Sequence, residues 1–238
     1  MRWKLVRKIA VALLLVFLCA EGSVLSINYW NRRKSERLLQ DIRALKIGQS
    51  TRSEIDPTLE RYHVEKSSAY ATSCAGAGGS LAVRISNETL IRVQTAFPWL
   101  RALTGRAWRA SATFLFRQNR LCYLIYEIDY WPKNDQDVEL SPQLVLAPSS
   151  DDLFVTIGDR QNHRYGIIGV HQNTLHRLSV TIAPVATEIE RSHAFDFDLS
   201  CLTSFRPCRT VGQFMPAVWH DYVVKLRSQG ETPDEIDE

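Results

Sequence analysis

The chain has 238 residues, of which 45% are hydrophobic and 23% are charged, a composition ordinary for a globular protein and unlike that of a disordered one. Residues 1–37 hold eight Lys and Arg against two acidic residues, and residues 228–238 hold five acidic residues and no base. The residues between them carry a net charge of only +2. A body so close to neutral gives no electrostatic case for nucleic-acid binding, so we expect no nucleic-acid partner.

An apolar run near the N-terminus predicts a membrane anchor. Every residue from Ile9 to Ala20 is apolar, and residues 9–30 contain no Lys or Arg. A helix rises about 1.5 Å per residue, so residues 9–30 are long enough to cross a hydrocarbon core about 30 Å thick. Tyr29 and Trp30 fit the aromatic belt at a membrane interface. We therefore expect the membrane to be a partner through residues 9–30.

The charges on the two sides of this run favour a cytoplasmic N-terminus. Basic residues flank both ends, but those before the run cluster tightly, whereas Glu36 dilutes those after it. The basic residues before the run are Arg2, Lys4, Arg7 and Lys8. We expect a single-pass membrane protein whose C-terminal domain is periplasmic or otherwise extracytoplasmic.

Two alternatives to a retained anchor remain open. A cleaved signal peptide would have its apolar region at Ile9–Cys19 and its cleavage site at Ala20-Glu21-Gly22. Glu21 favours cleavage, since a carboxylate inside a membrane is costly. Cys19 suggests a lipid-modified cysteine, although Leu18 before it is larger than such sites usually accept. The retained anchor and both alternatives deliver the residues from about Arg32 onward to the same compartment.

The cysteines predict two disulfides in the exported body. Of the five cysteines, Cys19 lies in the apolar run, and the other four form an even set. We favour the pairs Cys201–Cys208 and Cys74–Cys122 among the three pairings that four cysteines allow. A four-cysteine zinc site is the alternative, but no two cysteines stand at the spacing such sites use.

The first part of the body predicts a helix from Ser35 to Ile47. Ser35 is a suitable N-cap, and Gly48 follows as a suitable end. Four apolar residues make a stripe at helical spacing, namely Leu38, Leu39, Ile42 and Leu45.

A second short helix is predicted directly afterwards. Thr51 and Glu54 have the spacing of a capping box. Pro57 comes too soon for an unbroken helix, so we expect Asp56 to act as a new cap with Pro57 at the first helical position.

The stretch Leu45–Ile55 resembles the opening of the small outer-membrane lipoproteins of the SmpA/OmlA type through the residues Ile-Gly-Gln-Ser-Thr-Arg-Ser-Glu-Ile at positions 47–55. The shared features are a glycine, a Ser/Thr cap, a polar pair, an acid and an aliphatic residue. The later Gly-x-Pro of that family is absent here, and Pro57 stands in the helix instead. The resemblance implies a cell-envelope context and a pair of helices before a sheet, and it implies nothing about partners.

Alternating apolar residues after the helices predict a mainly antiparallel sheet. The best hairpin joins Ala110–Phe116 to Leu121–Tyr130, and a second runs from Gly166 to Ala183, turning near Asn173-Thr174. In the strand Leu121–Tyr130, one face is expected to carry Cys122, Leu124, Tyr126, Ile128 and Tyr130. The further predicted strands are Leu81–Ile85, Leu144–Leu146, Leu153–Ile157 and Ala194–Leu199.

The C-terminal part predicts a final helix and a tail. Met215–Leu226 is the candidate helix, with Trp219, Val223 and Leu226 along one side. Residues 228–238 are acidic and polar, which is typical of a disordered tail.

Two pairs of residues are the candidates for chemistry. If Asn173 and Thr174 form the turn, His171 and His176 lie opposite each other on adjacent strands, where they could hold a metal with His163 or Asp159 as a third ligand. The alternative is a solvated polar pair beside a turn, and no third ligand stands at a telling spacing.

Asp196 and Asp198 are the second pair. On a strand Ala194–Leu199 they would share one face opposite Phe195 and Phe197, and paired carboxylates can serve acid–base chemistry or bind calcium. A half-buried strand needs a polar outer face in any case, which is the simpler interpretation, and the same applies to Glu127 and Asp129.

The sequence thus predicts an α+β protein: an N-terminal transmembrane helix, two short helices, a mainly antiparallel β-sheet domain and a short C-terminal helix. We expect a membrane anchor at residues 1–34, a folded domain at 35–227 and the tail at 228–238. The expected function is non-catalytic binding or scaffolding of an envelope protein or surface polymer, with no catalytic residue, metal or cofactor assigned. The alternative is an exported hydrolase with a site assembled from His171, His176, Asp196 and Asp198.

Overall fold

The chain folds as an α+β protein in a computed structural model that describes residues 2–67, 74, 79–97, 107–131, 139–147, 167–172, 175–182, 186–204, 208–228 and 230. The helices are α1 (Arg2–Arg43), α2 (Arg52–Leu59), α3 (Glu88–Ala96), α4 (Glu188–Ala194) and α5 (Pro216–Ser228). The strands are β1 (Val64–Ser67), β2 (Gly79–Ser86), β3 (Trp108–Arg117), β4 (Arg120–Tyr130), β5 (Glu139–Leu146), β6 (Ile167–Gln172) and β7 (Leu175–Ile182). Short 3-10 helices lie at Ser200–Leu202 and Val211–Gln213.

The described strands form one mainly antiparallel sheet of seven strands, in the order β1-β2-β3-β4-β5-β7-β6. Every neighbouring pair is antiparallel except β5 and β7, which run parallel. The best predicted hairpin is present as β3 and β4, and its turn residues Gln118 and Asn119 have φ values of 49° and 64°. Positive φ at both turn residues matches the right-handed twist of the strands. The predicted fold class is confirmed.

The helix α1 is continuous across the expected boundary between anchor and domain. The separate helix predicted to start at Ser35 does not exist: Ser35 is a buried residue within α1, which ends at Arg43. No proline stands between residues 9 and 43, so nothing in the sequence interrupts the helix. Extending a helix adds one hydrogen bond per residue, whereas starting a new one needs a costly nucleus, which explains why the two segments merge.

The helix α2 also runs further than predicted. The Thr51 and Glu54 capping box is present, but the helix passes through Pro57 without starting again. The buried side chains of Ile55 and Leu59 hold it against the core, and the Arg52 amide donates to the carbonyl of Asn119 in the hairpin turn at 2.9 Å. These contacts offset the hydrogen bond that the proline removes.

The predicted strand Ala194–Leu199 is wrong. The helix α4 occupies the start of this segment, with Thr187 and Glu190 forming its capping box, and an irregular stretch follows it. Phe195 is buried and Phe197 half-buried, so the alternation of aromatic and acidic residues marks a loop packed on the core rather than a strand.

The core lies between one face of the sheet and the helices α1, α2, α4 and α5. It includes the buried residues Leu38 and Ile42 of α1, Ile55 of α2, and Tyr126 and Phe214. Among the described side chains of α5, Val218 and Tyr222 are buried and the predicted Trp219 and Val223 are partly buried, while the side chain of Leu226 lies outside the description. The predicted strand Leu153–Ile157 lies outside the described residues.

Cys122 does not share the core face with its neighbours in β4. Leu121 pairs with Phe116 and Tyr123 pairs with Leu115, so Cys122 is an extra residue, a β-bulge. The bulge turns Cys122 to the other face, and Leu121 takes its place in the core. The prediction failed here because strict alternation assumes an unbroken ladder.

Candidate functional site

The second face of the sheet, opposite the core, changes character along the strands. One end carries a small apolar cluster of buried residues: Cys74, Leu115, Tyr123, Val145 and Ala147. Further along, polar side chains replace the apolar ones. We call five residues in register across β2, β3, β4, β5 and β7 the polar row: Arg84, Ser111, Glu127, Gln143 and Ser179.

A hydrogen-bond network joins three residues of the polar row, Glu127, Gln143 and Ser179, and it also includes the neighbouring Ser141. The Ser141 hydroxyl donates to Glu127 Oε1 at 3.0 Å, and the amide nitrogen of Gln143 donates to the same oxygen. The Ser179 hydroxyl donates to Gln143 Oε1 at 2.7 Å. A partly buried carboxylate is expensive unless it accepts hydrogen bonds, and this network supplies them.

The arrangement around Glu127 is that of a satisfied structural network. Ser141 is fully buried and directs its proton at a carboxylate that already accepts a second bond. A nucleophilic serine needs an adjacent base that is free to take its proton. The geometry therefore favours a role in holding three strands together over a role in catalysis. The sequence predicted polar outer positions for Glu127 and Asp129 but missed Ser141, Gln143 and Ser179, which alternate with apolar residues in the same way.

Two disulfides join the cysteines in the pairs that the sequence favours. Cys74 is linked to Cys122 across 48 residues, and Cys201 is linked to Cys208 across 7 residues. The first links the bulge of β4 to the apolar cluster on the second face. The free cysteine Cys19 is exposed on α1.

The predicted histidine pair stands in register. The backbone of β6 and β7 pairs His171 with His176, as the predicted turn at 173–174 requires. The proposed third ligands, His163 and Asp159, lie outside the described residues. Within the described part of the chain, no group of three or more His, Cys, Asp and Glu could hold a metal ion.

The predicted carboxylate pair does not lie on a strand. Asp196 and Asp198 are exposed in the irregular stretch after α4, and Asp198 Oδ1 accepts from the amide of Ser200 at 2.8 Å. They belong to a different element from His171 and His176, so the backbone gives no support for a shared site.

Sequence reasoning missed a histidine–aspartate contact between α4 and α5. His193 Nδ1 lies 2.7 Å from Asp221 Oδ2, and both side chains are about one-third exposed at 39% and 32%. The pair joins the last turn of one helix to the middle of another, which no sequence spacing indicates. Such a contact orients an imidazole, and here it also fixes the packing of the two helices.

The helix α1 divides into two segments with different surroundings. In the exposed segment, residues 3–20, every described side chain is exposed. In the docked segment, residues 28–42, buried residues follow one stripe, namely Asn28, Ser35, Leu38, Leu39 and Ile42. The docked segment packs against β2. Within the described residues, α1 is the one helix long and apolar enough to cross a membrane.

Polar contacts also fix the docked segment to the body. Arg32 donates to Glu36 Oε1 at 2.7 Å and to the Thr203 hydroxyl at 2.8 Å, which ties α1 to the loop closed by Cys201 and Cys208. Further along the helix, the Tyr62 hydroxyl donates to Asp41 Oδ2 at 3.1 Å.

Two tyrosines beside the docked segment are held in their neutral form. Burial, together with the smaller effect of the neighbouring Asp41 carboxylate, raises the pKa of Tyr62 to about 12. Burial raises the pKa of Tyr126 well above its ordinary value, which the nearby Ser35 hydroxyl of α1 opposes only in part. Both rings therefore act as neutral packing groups at ordinary pH.

Comparisons with protein families, with curated proteins and with solved structures gave no match to this chain. The structure shows an apolar N-terminal helix fit for a membrane anchor or a signal, and a disulfide-linked body typical of an oxidising compartment.

Proposed function

We propose that this protein is a single-pass protein of the bacterial cell envelope that displays a non-catalytic binding or scaffolding domain outside the cytoplasm. The observation that carries the proposal is the continuity of α1 from an exposed apolar segment into the core of the body. A flexible tether would let the domain move freely, whereas a docked helix holds it at a fixed height above the membrane. The resemblance of Ile47–Ile55 to envelope lipoproteins supports the same compartment.

The charges around α1 support a cytoplasmic N-terminus. Four basic residues precede Ile9 without an acid. Beyond the apolar run, Glu36 contacts both Arg32 at 2.7 Å and Arg33 at 3.1 Å. Glu36 carries one negative charge against the four basic residues of 32–37, so the positive charge before the run is larger by one, which supports a cytoplasmic N-terminus.

A retained anchor is compatible with the position of Glu21 in α1. Its side chain is half-buried, as is that of Val24, whereas the described side chains of residues 3–20 are exposed. Glu21 lies seven residues before Asn28, so it falls on the stripe that continues into the docked segment. On that stripe its carboxylate is partly covered, which removes part of the argument for cleavage.

Exposed apolar side chains on the body are the candidate contacts for a partner. Val93 and Phe97 lie four residues apart at the end of α3, with exposed fractions of 38% and 53%, and Ile189 on α4 is 69% exposed. Such residues are costly to leave in water and are typical of binding surfaces when they cluster.

Anchoring is tested by treating membranes of expressing cells with alkaline carbonate and by adding protease to spheroplasts. We expect the full-length chain to stay in the membrane and the body to be digested from outside. A mature protein that begins at Ser23 would contradict the retained anchor.

Binding is tested with a photo-crosslinking amino acid at Phe97 or Ile189, with the exposed turn residue Gln118 as the matched control. We expect discrete cross-linked products in membranes from the first two positions and none from Gln118. The absence of products at both apolar positions would contradict a binding surface there.

A further inference from the structure

We propose that the face of α1 turned away from the body binds the phosphate of an anionic phospholipid headgroup at the point where the helix leaves the membrane. This proposal rests on the membrane anchor proposed above. It names a ligand class for a surface that the described part of the body does not cover.

The site is a groove of about 360 Å³ along the docked segment. Its lining is Tyr29, Trp30, Arg33, Glu36, Arg37 and Gln40. Residues three, four and seven apart share one side of a helix, so this lining forms a single stripe. The stripe lies on the side of α1 opposite to the buried residues Asn28, Ser35 and Ile42, and it is accessible to lipid.

The position of the groove along the helix axis matches that of the headgroup layer. At about 1.5 Å per residue, Arg33 lies about 4.5 Å and Arg37 about 10 Å beyond Trp30 along the helix axis. The headgroup layer of one leaflet is about 5–8 Å thick. Side chains on a helix lean toward its N-terminus, which here is the membrane side. Both guanidinium groups therefore extend back into the headgroup layer.

The charge of the groove favours an anion. Arg33 lies over the Tyr29 ring at 5.3 Å and contacts Glu36 Oε2 at 3.1 Å, while the other oxygen of Glu36 contacts Arg32, outside the groove. Among the described residues, Arg37 makes no ion pair. One shared carboxylate against two guanidinium groups leaves the groove positive, and guanidinium groups bind phosphate oxygens strongly.

The aromatic side chains favour a lipid over a free phosphate ion. Trp30 is 62% exposed and Tyr29 is 45% exposed, directly beside the cations. Aromatic rings at this depth pack against the glycerol and upper acyl region of a lipid. A soluble anion would gain nothing from them.

The test is native mass spectrometry of the full-length protein in detergent, titrated with phosphatidylglycerol or with zwitterionic phosphatidylcholine. We expect tighter binding of phosphatidylglycerol. The double variant R33Q/R37Q should weaken that binding about 25-fold, because each cation near an anionic surface contributes about fivefold. E36Q should tighten it, and R43Q, at the far end of the same helix, should leave it unchanged.

Several results would overturn the proposal. They are equal affinity for the two lipids in the wild type, unchanged phosphatidylglycerol binding in R33Q/R37Q with an unchanged unfolding midpoint, or displacement of the lipid by excess inorganic phosphate. The carbonate extraction separates the two proposals. If the wild type is extracted, the anchor fails and this site fails with it. If the protein stays in the membrane but shows no lipid selectivity, only the headgroup site fails.

Discussion

Residues 3–20 of α1 expose every described side chain, whereas residues 28–42 of the same helix bury a stripe that includes Asn28, Ser35, Leu38 and Ile42. The backbone is helical throughout, so local geometry does not distinguish the two segments. The difference lies in the side-chain pattern: residues 9–20 are apolar all around the helix, whereas the docked segment buries one side and carries Arg33 and Arg37 on the other. An all-round apolar surface fits lipid, and a stripe fits a folded body.

The largest expected effect contrasts a substitution in each segment. Ile42→Ala removes a fully buried side chain and should lower the free energy of unfolding of the body by about 2–5 kcal/mol. Val16→Ala, in the exposed segment, should leave it unchanged. Urea denaturation of both variants, followed by tryptophan fluorescence, measures the difference. Equal effects would mean that α1 is not divided in this way.

The two disulfides stabilise the body and not the exposed segment of α1. Replacing Cys74 and Cys122 by Ala should cost about 4 kcal/mol, and replacing Cys201 and Cys208 about 2 kcal/mol, because the loops closed span 48 and 7 residues. Urea denaturation of both variants gives the two values. A larger loss for the short loop would show that it matters chiefly by fixing the neighbouring docked segment.

Alkaline pH should weaken the packing of the docked segment against the body. Tyr62 has a pKa raised to about 12 and donates a hydrogen bond to Asp41 of α1. The folded body holds the proton more tightly than the unfolded chain, so this contribution to stability is complete below about pH 10 and is lost as the pH rises through about 12. Thermal unfolding at a series of pH values should show the decline, and Tyr62→Phe should make it shallower. An unchanged slope would contradict this role of Tyr62.

The smallest expected effect concerns the contacts of Arg32. Arg32→Gln removes the ion pair with Glu36 and the charged hydrogen bond to Thr203, and it should cost no more than about 1 kcal/mol because the pair is partly exposed. Lys34→Gln is the matched control, with no expected change. A loss of several kcal/mol in the first variant would mean that this contact, rather than the apolar stripe, holds α1.

The sequence predicted the parts of the fold that depend on local pattern. Alternation located the hairpin of β3 and β4, and the two disulfides join the pairs that the sequence favoured among three possible pairings. The register of His171 and His176 followed from turn length alone.

The parts that failed depend on context. The bulge at Cys122 and the passage of α2 through Pro57 are decided by neighbours distant in sequence. The contact between His193 and Asp221 joins two helices and leaves no local trace. The helix α4 was predictable from the sequence, because Thr187 and Glu190 have the spacing of a capping box. The prediction instead followed the alternation of aromatic and acidic residues after Ala194, which suggested a strand.

The continuity of α1 from membrane to core is tested most directly by a distance along the helix. Cys19 is free and exposed, so it can carry one spin label, and the exposed residue Gln40, replaced by Cys, can carry another. In the membrane-bound full-length protein, pulsed electron paramagnetic resonance should give one narrow distribution of distances between the two labels, centred at about 32 Å. This is the length of helix from Cys19 to residue 40 at the rise per residue of an α-helix. A broad or clearly shorter distribution, or a mature protein that has lost Cys19, would contradict a single helix that anchors and supports the domain.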